Sequence, residues 1–142
     1  MTGVYLQDCA GSVNAVIPNV YVASKSKYGP LWCEFREAWQ GLAVIVSSWI
    51  DESGEGESDG LADLWTRCIG EARSADLLIA CYEDGDIWKG AYIEIGAALA
   101  YQKPVYLCGR PPGSFINHPL VTLASDPDDA LADFLAFRKV AS

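Results

Sequence analysis

A chain of 142 residues is long enough for one domain with a core of its own. Its net charge of −9 excludes a role along a nucleic-acid backbone, which needs a basic footprint, but leaves room for a single nucleotide. Hydrophobic residues make up 51% and charged residues 20%, which excludes the disordered and fibrous classes.

In chain order, residues 1–18 show no clear period and read as a leader segment with a short strand at its end. A single domain is expected over 19–142. NVYVAS, 19–24, is a short β-branched run and reads as a buried strand. GPLWCEFREAWQGL follows as a helix, with Leu31, Phe35, Ala38 and Trp39 expected on its buried face; Pro30 suits its start and Gly41 its end. AVIVSSWI, 43–50, reads as the second strand. The acidic, Gly/Ser-rich DESGEGESDG, 51–60, reads as a solvated loop.

LADLWTRCIGEARSA makes the second helix and DLLIACY, 76–82, the third strand. A third helix spans roughly 88–101, KPVYLCG forms the fourth strand and HPLVTLAS the fifth. PDDALADFLAFRKVA closes the chain as a helix with Asp128 and Asp129 in its first turn, where carboxylates suit the helix dipole. Apolar strands alternating with helices specify a parallel sheet covered on both faces. A doubly wound five-stranded α/β sheet of order 2-1-3-4-5 is expected, with its ligand beyond the carboxyl ends of the first and third strands. That rule selects Ser24, Lys25, Ser26, Lys27 and Tyr28 after the first strand and Glu83, Asp84, Gly85 and Asp86 after the third. Ser47, Ser48 and Trp49 lie close by.

The five cysteines, Cys9, Cys33, Cys68, Cys81 and Cys108, are widely spaced and form no C-x-x-C pair. Neither a zinc site nor a disulfide framework is indicated, and no metal or cofactor is expected. Free thiols fit a reducing cytoplasm. No apolar run reaches the length of a membrane span, and the N-terminus lacks the residue order of a signal peptide. A cytoplasmic protein with no membrane partner is the expectation.

Glu94 is the conspicuous residue, a carboxylate inside an otherwise apolar helix. An unpaired buried charge is costly. Its helical neighbours, Gly90, Ala91, Ala97 and Ala98, are all small, which leaves open space for a group to approach the carboxylate. The same residues also suit tight helix–sheet packing, with Glu94 favouring the positive end of its helix, and spacing alone leaves both readings open. No G-x-G-x-x-G or G-x-x-x-x-G-K-[ST] is present. EDGD opens like a calcium loop, but Trp88 and Lys89 fall where a ligand and the turn glycine are required. His118, before a proline, reads as a surface or packing residue.

VYVAS, SADLLIACYEDGD and above all KGAYIEIGAALAYQKPVYLCG resemble the nucleoside 2-deoxyribosyltransferase family, which includes the deoxynucleoside 5′-monophosphate N-glycosidases. The A-D-x-x-x-A strand and the E-x-G-x-A-x-A-x-x-K-P-V run recur in order, and the resemblance covers most of the chain from residue 19 onward. It implies a flavodoxin-like, Rossmann-like fold and a nucleophilic glutamate at Glu94. Such a carboxylate captures the anomeric carbon as the N-glycosidic bond breaks through an oxocarbenium-like state, and the glycosyl-enzyme passes to another base or to water. The family's usual aspartate near the reacting centre falls at Cys68, and its acidic residue six positions before the nucleophile falls at Trp88, so Asp84 or Asp86 is expected to serve instead.

Tyr21 matches an aromatic position near the family's ligand. Trp49 offers a face on which a base can stack, Lys25 and Lys27 offer charges to a 5′-phosphate, and Ser24, Cys68, Tyr82 and Gly90 complete the expected pocket. Asn117 roughly matches a residue donated to a neighbouring subunit's site, and the resemblance implies a homo-oligomer, most simply a dimer. The expected function is cleavage or transfer of the N-glycosidic bond of a small nucleoside or its 5′-monophosphate. A non-catalytic nucleotide-binding module and a related NAD glycohydrolase are the alternatives.

Overall fold

The structure, a computed structural model, describes residues 5–7, 14–52 and 60–141. Its sheet contains five strands, β3 (Asn19–Ala23), β4 (Val44–Ile45), β5 (Leu77–Cys81), β6 (Val105–Cys108) and β7 (Val121–Ala124), in the order β4-β3-β5-β6-β7. Every neighbouring pair is parallel, so the order is the expected 2-1-3-4-5. Upstream, β1 (Tyr5–Gln7) and β2 (Asn14–Val16) form a separate antiparallel pair. The leader thus carries two short strands where one was expected, and most of its remaining residues, like 53–59 of the acidic loop, lie outside the described residues.

Alternate residues of each strand face opposite layers. Val20, Val22, Leu77, Ile79 and Tyr106 pack under α1 (Gly29–Ala38) and α4 (Pro127–Ala141). Tyr21, Ala23, Leu78, Ala80 and Leu107 pack under α2 (Leu61–Ser74) and α3 (Gly90–Ala100). Both faces are covered, which is why the strands read as unbroken apolar runs.

Two expectations need correction. The buried face of α1 is Gly29, Trp32 and Trp39, flanked by Phe35, while Leu31 is 45% exposed and Ala38 also faces solvent. The helix is turned so that both indoles bury and find acceptors: Trp32 Nε1 donates to Ser24 Oγ at 2.9 Å and Trp39 Nε1 to Asp128 Oδ1 at 2.8 Å. The second strand pairs only over Val44–Ile45. Past Val46, whose N–H still reaches Val20 O at 2.9 Å, Ser47 Oγ accepts from Val22 N–H at 2.7 Å, and the chain coils into a 3₁₀ turn over Ser48–Asp51.

The helix ends follow local chemistry. Gln102, at φ 61°, closes α3 in the left-handed region, and Lys103 N–H returns to Ala98 O at 3.0 Å, satisfying a last-turn carbonyl. At the start of α4, Asp126 Oδ1 accepts from Asp129 N–H at 2.7 Å, while Asp129 reaches back to Ser125 N–H at 3.1 Å.

Candidate active site

The β3–β4 crossover passes one face of the sheet and the β4–β5 crossover the other, so a crevice opens where β3 and β5 end. A cavity of about 380 Å³ lies there. It is walled by Ser24, Lys25 and Ser26 after β3, Trp49 of the 3₁₀ turn, Leu64, Trp65 and Cys68 of α2, and Ile87 to Ala91 with Glu94 at the start of α3. A larger depression, about 740 Å³, runs along α1 and the β4 edge. Its one guanidinium, Arg36, is already paired with Asp51 at 2.9 Å, and it lies away from the strand ends where this fold binds ligands.

Glu94 is 8% exposed. Burial pushes its carboxyl up from 4.5 to about 7; the Tyr21 hydroxyl pulls the other way, and the charge of Glu71 adds a smaller rise. Among the described residues no cation pairs with it, unlike a structural carboxylate in an ion pair. Tyr21, fully buried on β3, directs its hydroxyl toward Glu94 and Cys68, yet among the described residues it completes no hydrogen bond of good geometry. Burial and those two neighbours hold that phenol protonated far above the ordinary tyrosine range. Cys68, also buried, is pushed up to about 11, chiefly by desolvation. The group facing Glu94 is therefore a neutral thiol at neutral pH, not a second carboxylate.

The surrounding walls are braced. Arg67 on α2 grips both Glu52 oxygens at 2.7 and 3.1 Å, Ser48 Oγ at 2.6 Å and Asp63 at 2.8 Å, tying the 3₁₀ turn to α2. Trp49 Nε1 donates to Val22 O at 2.8 Å. Across the cavity mouth, Lys25 Nζ donates to Ile87 O at 3.3 Å. Trp88 is wedged edge-on between the rings of Tyr82 and Tyr92, at 5.4 Å from each, and its Nε1 has no partner among the described residues.

Of the residues singled out in the sequence, Glu94, Ser24, Lys25, Trp49, Cys68 and Gly90 share this cavity, with Tyr21 directly behind Glu94. Besides Tyr21, four of the expected site residues do not line it. Tyr82 supports it from behind through Trp88. Asp84 is exposed on the turn after β5. Asp86 folds back to accept from Glu83 N–H at 3.0 Å and sits 3.8 Å from Lys27 Nζ, so its carboxylate fastens the loop and stands outside the cavity wall. Asn117 is exposed and donates to Ser114 O at 3.1 Å within its own 3₁₀ turn.

Ser26 lines the cavity as the strand-end rule selected, whereas Trp65, Leu64 and Lys89 were not anticipated as lining residues. Trp65 had a usable signal, since it precedes Cys68 by three positions and shares its helix face. Among the described residues, no group of three or more His, Cys, Asp or Glu is arranged to hold a metal ion, and no helix is long and apolar enough to cross a membrane.

No protein-family model matches the chain, and no curated protein matches it in sequence. Among solved structures it is similar to the CMP N-glycosidase BcmB of Clostridium botulinum. The TM-score is 0.51 at 18% identity, over 82% of this chain and 97% of that one. That likeness establishes a shared Rossmann-like fold.

Proposed function

We propose that the protein cleaves the N-glycosidic bond of a nucleoside or its 5′-monophosphate, with Glu94 as the nucleophile. The observation that carries this reading is a buried, unpaired carboxylate on a cavity wall at the carboxyl end of a parallel sheet. Support comes from the E-x-G motif resemblance and from the fold shared with a CMP N-glycosidase.

In this reading the Glu94 carboxylate closes on the anomeric carbon as the bond to the base breaks, and the bonding electrons leave with the base. Lys25 and Lys89 at the cavity mouth supply positive charge toward that departing base or a 5′-phosphate. Water then releases the sugar, or a second base takes it. Ionised Glu94 is favoured by the Tyr21 hydroxyl, and its attraction for the anomeric carbon strengthens as positive charge grows on the sugar while the bond to the base breaks. Incubation with each nucleoside, deoxynucleoside and 5′-monophosphate, with and without a second free base, tests the reading. Base release or exchange is expected, and folded protein that releases no base from any of them overturns it.

A second reading, a nucleotide-binding module without turnover, is favoured by Cys68. It stands where the family carries an aspartate and leaves Glu94 as the single carboxylate among the described lining residues. Binding without base release distinguishes the two.

The proposal includes self-association. Apart from Glu94 and Tyr92, α3 is entirely apolar or small, and its outer face exposes Ile93 (51%), Gly96 and Ala100 beside Ile69 of α2 (37%). A helix apolar on every side is a buried helix, and a second copy covers it most simply as a two-fold dimer. Light scattering at micromolar concentration should report a dimer that Ile93→Lys splits; a wild-type monomer overturns this part. Asn117 is relevant to ligand binding only within such an assembly, since it stands outside the cavity of its own chain.

A further inference from the structure

The cavity displays three tryptophans, and they differ in what their rings are free to do. Trp88 is 5% exposed and held between two tyrosine rings. Trp49 is half-buried and tied to the Val22 carbonyl through its Nε1. Trp65, on α2, is 39% exposed although it lines the same cavity.

The indole of Trp65 rests on the first residue of α3. A Cβ placed on Gly90 would meet Trp65 Cη2 at 3.2 Å, tighter than ordinary van der Waals contact, so the absence of a side chain at 90 lets the ring sit there. Gly90 and Glu94 are four residues apart and share one helix face, just over one turn or about 6 Å along the axis. The carboxylate thus stands about one helical turn beyond the residue on which the ring rests, within the span of a base and the pentose it carries. A planar heterocycle stacked on Trp65 brings its sugar over Glu94.

We infer that Trp65 is the stacking platform for the ligand's aromatic base, and that Gly90 sets the ring's position relative to Glu94. This rests on the N-glycosidase reading for its ligand class, a planar nucleobase joined to a pentose. It also assigns Trp65 to the ligand and takes it out of the apolar surface available to a partner subunit. Stacking tolerates any base, because every base has a π-face. The platform fixes position, and the choice among bases falls to polar groups elsewhere in the cavity.

Calorimetric titration tests this without turnover. The protein carries Glu94→Gln throughout, alone or with Trp65→Ala or Trp65→Phe, and circular dichroism checks the fold of each. The probes are the deoxynucleoside 5′-monophosphates and, as the base-free control, 2-deoxyribose 5-phosphate. Trp65→Ala should weaken the nucleotides by about tenfold to a hundredfold and leave the sugar phosphate unchanged, and Trp65→Phe should recover most of the loss. Nucleotide affinity unaltered in Trp65→Ala, or lost equally for the base-free control, overturns the platform while leaving the N-glycosidase reading standing. Absence of nucleotide binding in the Glu94→Gln parent removes both.

Discussion

The two faces of the sheet dispose of their buried polar atoms in opposite ways. Under α1 and α4, large side chains with polar tips find partners inside the protein. Trp32 meets Ser24, Trp39 meets Asp128, and Tyr106 Oη donates to Asp133 Oδ2 at 2.9 Å. Under α2 and α3, the Tyr21 hydroxyl and Trp88 Nε1 are buried with no partner among the described residues, as is Asn19 Oδ1 at the other end of β3, and Glu94 is buried with no cation among them. Each unpaired polar group costs about 1–3 kcal/mol. One face pairs its polar groups in folding; the other leaves two of its three orphaned atoms, and the unpaired carboxylate, beside the cavity. That asymmetry marks the site more firmly than the cavity's size does, since the larger depression beside β4 shows nothing of the kind.

Removing the carboxylate is the severest test of the contrast. Glu94→Ala should lower base release by at least roughly a thousandfold while the protein stays folded, because no other described lining residue is a carboxylate. Turnover at the wild-type rate in a steady-state assay would show that the unpaired side is merely imperfectly packed.

The pH dependence of stability comes next. Glu94 is raised in the folded state from 4.5 to about 7, so between those values the unfolded chain gives up its proton first and stability falls as pH rises. Below 4.5 both states are protonated and the loss is absent; above about 7 it is complete, on the order of 3 kcal/mol. Glu94→Gln should erase that decline. Urea unfolding of both proteins at pH 4.5 and pH 8 measures it, and parallel pH profiles would refute the buried-carboxylate account.

The smallest effect is the most discriminating. Tyr106→Phe strips a hydrogen bond from the satisfied face and leaves Asp133 without its donor, which should cost about 1 kcal/mol with no change in base release. Tyr21→Phe removes a hydroxyl that completes no hydrogen bond of good geometry among the described residues, so stability should hold or rise, while the acidic limb of the activity profile moves upward as Glu94 loses its one helpful neighbour. Equal destabilisation of the two variants in thermal melts would erase the distinction between the faces.

The sheet order was legible because apolar strands, helices and handed crossovers leave few arrangements, while Glu94 stood out as a carboxylate among Gly90, Ala91, Ala97 and Ala98, with the family resemblance and not the spacing favouring a catalytic role over a packing one. The rest was hidden for physical reasons. Along α1, period alone cannot tell a Leu31 stripe from a Trp32 stripe; acceptors on Ser24 and on Asp128, 89 residues away, decide it. Asp84 and Asp86 sit at the right place in the chain, but a carboxylate three or five residues past a strand can turn into the cavity or back onto its own loop. For Asp86 the Glu83 N–H wins. Trp65 was overlooked because its importance lies in Gly90, a partner on another helix.

The early end of β4 has a consequence for how the molecule meets copies of itself when concentrated. Past Ile45 the border of the sheet steps inward to β3, and the backbone of Val22 would be open to an incoming strand. Ser47 Oγ takes its N–H at 2.7 Å, and Trp49 Nε1 occupies its carbonyl at 2.8 Å. Two side chains thus stand in for the missing neighbour, and the place where a parallel sheet would otherwise recruit another molecule's backbone is sealed. The same serine and tryptophan that end the strand guard the protein against edge-to-edge aggregation.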